Sequence, residues 1–278
     1  MATNPAYIRR TLGTAYEPRE AAALSRIVCT EMLGQSQADY FLCKDIELSA
    51  NQEEKLQSIL RRLLCFEPIQ YVQGFTWFLS RRFLVTPAVL IPRPETEELV
   101  QRIIEETEAG ASVLDVGTGS GCIAISLALS LSEAQVEAWD VSLEALEVAM
   151  HNAEQLHANV DFRLQDMLTC QWEGGRRYDL IVSNPPYVLE QERETLAPNV
   201  VDYEPELALF VPDDDPLLFY RKIAEMGRQA LKPQGRLYFE INRTQGVAVK
   251  QLLEAQGYSD VTIYQDISHN DRIIKAHL

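Results

Sequence analysis

Near the middle of the chain an apolar run, Leu180-Ile181-Val182, gives way through Ser183 to Asn184-Pro185-Pro186-Tyr187. Asn184 carries a side-chain carbonyl, and Pro185 a backbone carbonyl on a chain whose φ is fixed; neither proline has an N–H. Two converging acceptors suit a substrate –NH2 group, which has two hydrogens to give. Tyr187 adds a flat face for a planar amide or base. Such a nitrogen is a poor nucleophile, because its lone pair is delocalised into the adjacent π system. Holding both its hydrogens favours the positive charge that develops on nitrogen during attack on carbon, so catalysis here needs positioning and electrostatics but no strong base. The candidate catalytic residues are therefore Asn184, Pro185 and Tyr187, and the candidate substrate-binding residues Asn184, Pro185, Pro186 and Tyr187. The plainer reading is a turn in which Pro-Pro merely ends a strand.

A second group lies upstream. The segment 113–122, VLDVGTGSGC, reads as a strand, a glycine-rich turn and a helix start. Gly117, Gly119 and Gly121 let the backbone turn sharply and approach a ligand. The dinucleotide fingerprint would need glycine at 122, where the chain has Cys122, and no phosphate-loop lysine follows. Asp115 is an awkward neighbour for a pyrophosphate and suits a ligand with a cationic amine and a sulfonium. The next strand ends at Asp140, whose carboxylate can accept both hydroxyl hydrogens of a ribose. The strand after it ends at Asp166-Met167, an acceptor and a flexible apolar side chain where an adenine can lie. A glycine turn followed by acidic tips on two successive strands points to S-adenosylmethionine as methyl donor. Its candidate contacts are Asp115, Gly117, Thr118, Gly119, Ser120, Gly121, Asp140, Asp166 and Met167; no metal site is expected. Taken singly, Asp140 reads as a helix cap and Asp166 as a turn residue.

These residues need a scaffold, and the chain's periodicities supply one. Residues 1–73 carry helical spacing without a strand pattern: Ala21, Leu24, Ile27, Val28 and Met32 in 18–34, and Leu56, Ile59, Leu60, Leu63 and Leu64 in 49–66. Residues 74–94 change to aromatic and β-branched types around Ser80-Arg81-Arg82, which predicts a hairpin linker, and Pro94 or Glu95 then opens a helix. From Ser112 onward strands and helices alternate, closing on two strands. The expected fold is α/β: a mostly parallel, Rossmann-like sheet of the class I methyltransferase kind over 95–278, preceded by a small all-helical domain over 1–73.

Composition narrows the partners. Residues 1–110 hold 12 basic and 15 acidic side chains and residues 111–278 hold 13 and 26, so the net charge of −16 divides into −3 and −13. A surface this acidic repels a phosphate backbone, which favours a protein or small-molecule substrate over nucleic acid. Five scattered cysteines without a C-x-x-C pair fit a reducing cytoplasm. The longest apolar run, 122–131, is too short for a membrane span, and the first ten residues lack a signal-peptide core. Nothing requires more than a monomer.

With these motifs in view, the chain resembles the HemK/PrmC family of peptide chain release factor glutamine methyltransferases. The likeness covers nearly the whole chain, through EPIQYVQG, FLVTPAVLIPRPETEELV, DVGTGSG, SNPPYV, YEPELAL, YFEI and DRIIKAHL. Asn-Pro-Pro-Tyr is shared with adenine and other amine methyltransferases; IPRPETE is the more specific marker. The resemblance implies methyl transfer to the side-chain amide nitrogen of the glutamine in the Gly-Gly-Gln loop of class I release factors, with Asn184 joining Gly117 to Gly121, Asp140 and Met167 as contacts of the methyl donor, and with the helical domain helping to recognise that partner. Where the family often has a glycine-rich turn, this chain reads FVPDDDPLL (210–218), and no contact is assigned there. Two other readings stay open: a methyltransferase acting on an exocyclic amine of a nucleic-acid base, and a donor-binding sensor without turnover.

Overall fold

The structure, a computed structural model, describes residues 2–170, 172 and 174–278. It divides into two compact units, 1–74 with 198–203, and 75–197 with 204–278.

The first unit is built on helices. After the short strand β1 (Ala2–Thr3), Asn4 caps α1 (Pro5–Leu12) by accepting from the Tyr7 amide at 2.9 Å. α2 (Pro18–Ile27) runs into a π-helical turn, Val28–Met32, closed by the Leu33 amide donating to the Val28 carbonyl at 3.0 Å. α3 (Gln37–Phe41) and β2 (Ile46–Glu47) follow. Ser49 and Gln52 form a reciprocal capping box ahead of α4 (Ala50–Leu64), and Gly74 ends α5 (Ile69–Gln73) in the left-handed region at φ 82°. Leu24, Val28, Leu56, Leu60 and Leu63, from the helical stripes that the spacing predicts, make its core together with Ile8 and Leu12 of α1. The expectation of an all-helical unit needs one correction. β1 and β2 pair antiparallel, Thr3 with Ile46, and two residues per strand are too few to leave a period in the sequence.

The second unit opens with a hairpin, β3 (Phe75–Phe78) and β4 (Arg81–Leu84), whose two turn residues Leu79 and Ser80 have φ of 47° and 61°. α6 (Pro94–Glu106) precedes the alternating part: β5 (Ser112–Val116), α7 (Cys122–Ser130), β6 (Gln135–Asp140), α8 (Leu143–Leu156), β7 (Val160–Leu164) and β8 (Tyr178–Ser183). After β9 (Val188–Leu189), the helix α9 (Pro198–Val201) lies in the segment that clusters with the first unit. Then come α10 (Glu206–Leu209), β10 (Phe210–Val211), α11 (Leu218–Ala230), β11 (Leu231–Glu240), α12 (Gly246–Ala255), β12 (Ser259–Gln265) and β13 (Asp271–His277).

The main sheet has the order β12-β13-β11-β8-β5-β6-β7; β13 runs antiparallel to both its neighbours and the remaining pairs are parallel. Alternation along β8 sends Leu180 and Val182 to one face, where they meet Leu99, Ile103, Ile123 and Leu127. Ile181 points to the other face with Tyr220, Ile223, Val249 and Leu253. Helices therefore cover both faces, and the carboxyl ends of β5, β6 and β8 share one rim, where open parallel sheets hold ligands.

Gly121 makes the turn into α7 possible. It sits at φ 80°, and a Cβ there would lie 2.8 Å from Ile125 Cδ1 and 3.2 Å from Ala149 Cβ. Gly121→Ala adds left-handed strain to that overlap, and a loss of about 2–4 kcal/mol is expected. A urea titration should show a lower midpoint at unchanged slope; an unmoved midpoint would contradict this packing.

Candidate active site

At the rim lies a cavity of about 260 Å³. Its wall joins the glycine turn (Gly117 to Ser120), Asp140 at the end of β6, Asp166-Met167 in the turn beyond β7, and the Asn184-Pro185-Pro186 segment. The two groups singled out in sequence thus face one space, although Gly117 and Asn184 stand far apart along the chain.

Each strand delivers its residue differently. The Asp140 carboxylate accepts from the Gly119 amide at 2.8 Å through Oδ2 and from the Ser142 amide at 2.9 Å through Oδ1. Burial pushes its carboxyl up, against the backbone donors of Ser142, Gly119 and Val141. A carboxylate has about four acceptor positions, so one remains beyond these three backbone donors. β7 stops at Leu164, two residues short of Asp166, and Asp166 closes a turn by accepting from the Leu168 amide at 2.8 Å and the Thr169 hydroxyl at 3.1 Å. It is both a turn residue and part of the wall. β8 ends where the Ser183 hydroxyl donates to the Val116 carbonyl at 2.6 Å, tying two strand ends together directly below Asn184.

Three of the sequence candidates are placed otherwise. Asp115 is fully buried and does not line the cavity; its Oδ2 accepts from the Thr118 hydroxyl at 2.7 Å and the Ala124 amide at 3.2 Å, bracing the turn from inside. Gly121 is likewise behind the wall, packed on Ile125 and Ala149. Tyr187 is also absent from the wall; its hydroxyl donates to Glu240 Oε1 at 3.1 Å, and its ring packs on the core. Its hydroxyl and part of its ring thus help hold the rim.

Other wall residues went unassigned in sequence. Arg93 lines the cavity and donates to Glu204 Oε1 at 2.6 Å, while the Ile91 amide donates to Glu204 Oε2 at 3.1 Å. The buried Glu204 carboxylate thereby fastens the IPRP segment. Thr96, in the first turn of α6, also reaches the wall. The signal for these residues was present in IPRPETE and YEPELAL as motif text without a role. The atypical 210–218 segment is anchored by its own aspartates: Asp213 accepts from the Gln191 amide at 3.1 Å, and Asp215 pairs with Arg221.

Comparison with known proteins places this geometry. Residues 6–74 match the PrmC N-terminal domain and residues 94–203 the methyltransferase small domain. A release factor glutamine methyltransferase of Bacteroides thetaiotaomicron is 52% identical, covering 98% of this chain and 98% of its own. The chain belongs to that family. Another release factor glutamine methyltransferase, of Flavobacterium psychrophilum, is 41% identical over 96% of this chain and 95% of its own. A methyltransferase of Pyrococcus furiosus shares the fold, with a TM-score of 0.52 and 17% identity over 82% of this chain and 98% of that one.

S-adenosylmethionine is the methyl donor of this family, and the wall fits it on two counts. The amides of Gly117 and Thr118 donate to the Trp139 carbonyl, that of Gly119 to Asp140 and that of Gly121 to the Thr118 carbonyl. These four amides are thus engaged, and a Cβ at Gly117 or Gly119 would meet nothing within 4 Å, so the turn offers open space to a ligand. Among the described wall residues, Asp140, Glu144 and Asp166 are acidic, and the single cation, Arg93, is already paired. That balance suits a sulfonium and opposes a polyphosphate.

Desolvation pushes the Asp115 carboxyl up to about 7, with the Thr118 hydroxyl and the Ala124 amide acting against it and the Asp140 charge adding to it. A folded-state pKa raised above the unfolded value gives stability that is complete below the unfolded pKa and lost as pH rises through the folded one. Relative to Asp115→Asn, which does not titrate, the wild-type protein should therefore lose about 2–4 kcal/mol between pH 4 and 7. Urea titrations of both proteins across that window check this; a constant difference would place Asp115 in a more polar setting.

Proposed function

We propose that this chain transfers the methyl group of S-adenosylmethionine to the side-chain amide nitrogen of the glutamine in the Gly-Gly-Gln motif of class I release factors, acting as a monomer in the cytoplasm. The observation that carries the reading is that Asn184 and Pro185 line the same cavity as Gly117 to Ser120 and Asp140. An acceptor pair for an –NH2 group and a wall fitted to a cationic donor thus border one space. The near full-length likeness to release factor glutamine methyltransferases supports the substrate class.

Bound in the cavity, the donor supplies an electrophilic methyl carbon activated by the positive sulfur. Gly117, Thr118, Gly119 and Ser120 would hold it along the turn, Asp140 would take its ribose hydroxyls, and Met167 would pack against its adenine. Asn184 Oδ1 and the Pro185 carbonyl accept the two hydrogens of the glutamine amide. As nitrogen attacks, its N–H groups become more acidic and these bonds strengthen, so they favour the transition state over the ground state. Pro185 and Pro186 restrict movement of the acceptors. No side chain need remove a proton before transfer, because the methylated amide is positively charged and loses its proton readily afterwards.

Incubation with release factor and methyl donor, followed by peptide mass spectrometry, should place one added methyl on the glutamine of the Gly-Gly-Gln peptide; a methyl elsewhere would overturn the substrate. Asn184→Ala is expected to lower kcat by about 100-fold or more, with donor Kd changed less than about threefold. Asp140→Ala should instead weaken donor binding by roughly 10- to 100-fold in calorimetry, the scale of hydrogen bonds to a charged group. An unchanged Kd would remove Asp140 from the donor's ribose.

A further inference from the structure

We propose that Thr96 and Glu240 are positioning residues that fix which end of the Asn184 amide faces the cavity, with the Glu240 carboxylate holding both ends of the Asn184–Tyr187 turn. The inference rests on the acceptor role given to Asn184.

An asparagine amide has two ends of nearly equal size and opposite hydrogen-bonding character. For a substrate –NH2 only the carbonyl end is useful; the reversed amide would set its own hydrogens against those of the substrate. Something must therefore choose the orientation, and the hydrogen-bond chain behind Asn184 does so. Thr96 Oγ1 lies 2.6 Å from Glu240 Oε2 and 3.3 Å from Asn184 Nδ2. A hydroxyl has one hydrogen. Thr96 gives it to the carboxylate at the shorter distance, so towards Asn184 its oxygen can only accept. The NH2 end of Asn184 must then face Thr96, and the carbonyl end is left for the cavity. With Glu240 ionised, this follows from counting hydrogens and holds however the amide atoms are assigned.

The other carboxylate oxygen serves the far end of the turn. Glu240 Oε1 accepts from the Tyr187 hydroxyl at 3.1 Å, and the Asn242 side chain donates to the Tyr187 carbonyl at 3.4 Å. Sheet register explains the convergence: Phe239 on β11 pairs with Ser183 on β8, so Glu240 follows Phe239 where Asn184 follows Ser183. Glu240 and Thr96 are almost wholly buried, at 1% and 2% exposure, so water does not compete for these bonds. Burial pushes the Glu240 carboxyl up, and the Thr96 hydroxyl, the Arg272 charge and the Tyr187 hydroxyl act against that rise while Glu95 adds to it.

The test is the pair Thr96→Val, which keeps the shape and loses the acceptor, and Thr96→Ser, which keeps it. A flipped amide forfeits one hydrogen bond and strands a buried polar group, so Thr96→Val is expected to lower kcat by about 5- to 50-fold, and Thr96→Ser to stay within about threefold of wild type. Donor Kd should be unchanged in both. Glu240→Gln should also slow transfer, and adding Thr96→Val to it should cost little more, because both act through one chain. Wild-type kcat in Thr96→Val, equal slowing in Thr96→Ser, or full additivity of the two lesions overturns the inference. Asn184→Ala separates the levels: if it retains transfer, the acceptor role itself fails; if it is inactive while Thr96→Val is fully active, only the positioning chain fails.

Discussion

β8 is flanked on both sides by parallel partners, and its ladder has to stop where the next residues bring no N–H. Pro185 and Pro186 impose that stop, and the rim is arranged around it. Ser183, the last paired residue, uses its hydroxyl on the Val116 carbonyl and so locks the end of β8 to the end of β5. The chain then leaves the sheet with Asn184 at the edge of the glycine turn's cavity. Had the strand continued, Asn184 would have been another ladder residue and the two groups would have had no common space.

Much of this was legible in the chain, for definite reasons. Strand, glycine turn and helix recur in a short window, and the positions of Asp140 and Ser183 as strand ends follow from where apolar runs stop. What a side chain does at such an end was less legible. Asp115 turns inward because Thr118 and Ala124 offer it donors, and no spacing rule encodes that choice. Tyr187 looks in sequence like a stacking surface, yet its hydroxyl finds Glu240, a partner set by the register of β11. Thr96, Glu204 and Glu240 come from remote parts of the chain, so their roles exist only after the sheet has formed. The hairpin turn at Leu79-Ser80 carries neither glycine nor asparagine, so its exact place was hidden as well.

The charge reading also changes once burial is known. Asp115, Glu137, Glu204, Glu240 and Asp266 are buried, all within the strongly acidic part of the chain. Each has local donors: Glu137 takes the Trp139 indole N–H at 2.7 Å, and Asp266 takes two backbone amides of its own turn. Part of the acidic excess is thus internal carpentry, fastening turns and linkers, and fewer carboxylates stand on the surface than a count of acidic residues suggests.

The segment 198–203 has a bearing on how this protein can be dissected. The Tyr203 hydroxyl donates to the Cys65 carbonyl at 2.6 Å, just beyond the end of α4. A recombinant fragment cut after Gly74 would look complete on paper but would lack that tyrosine and the hydrogen bond it gives to the helix terminus. Exchanging amino-terminal modules between relatives would meet the same obstacle, since a faithful graft has to carry six residues from the middle of the polypeptide along with the first seventy-four.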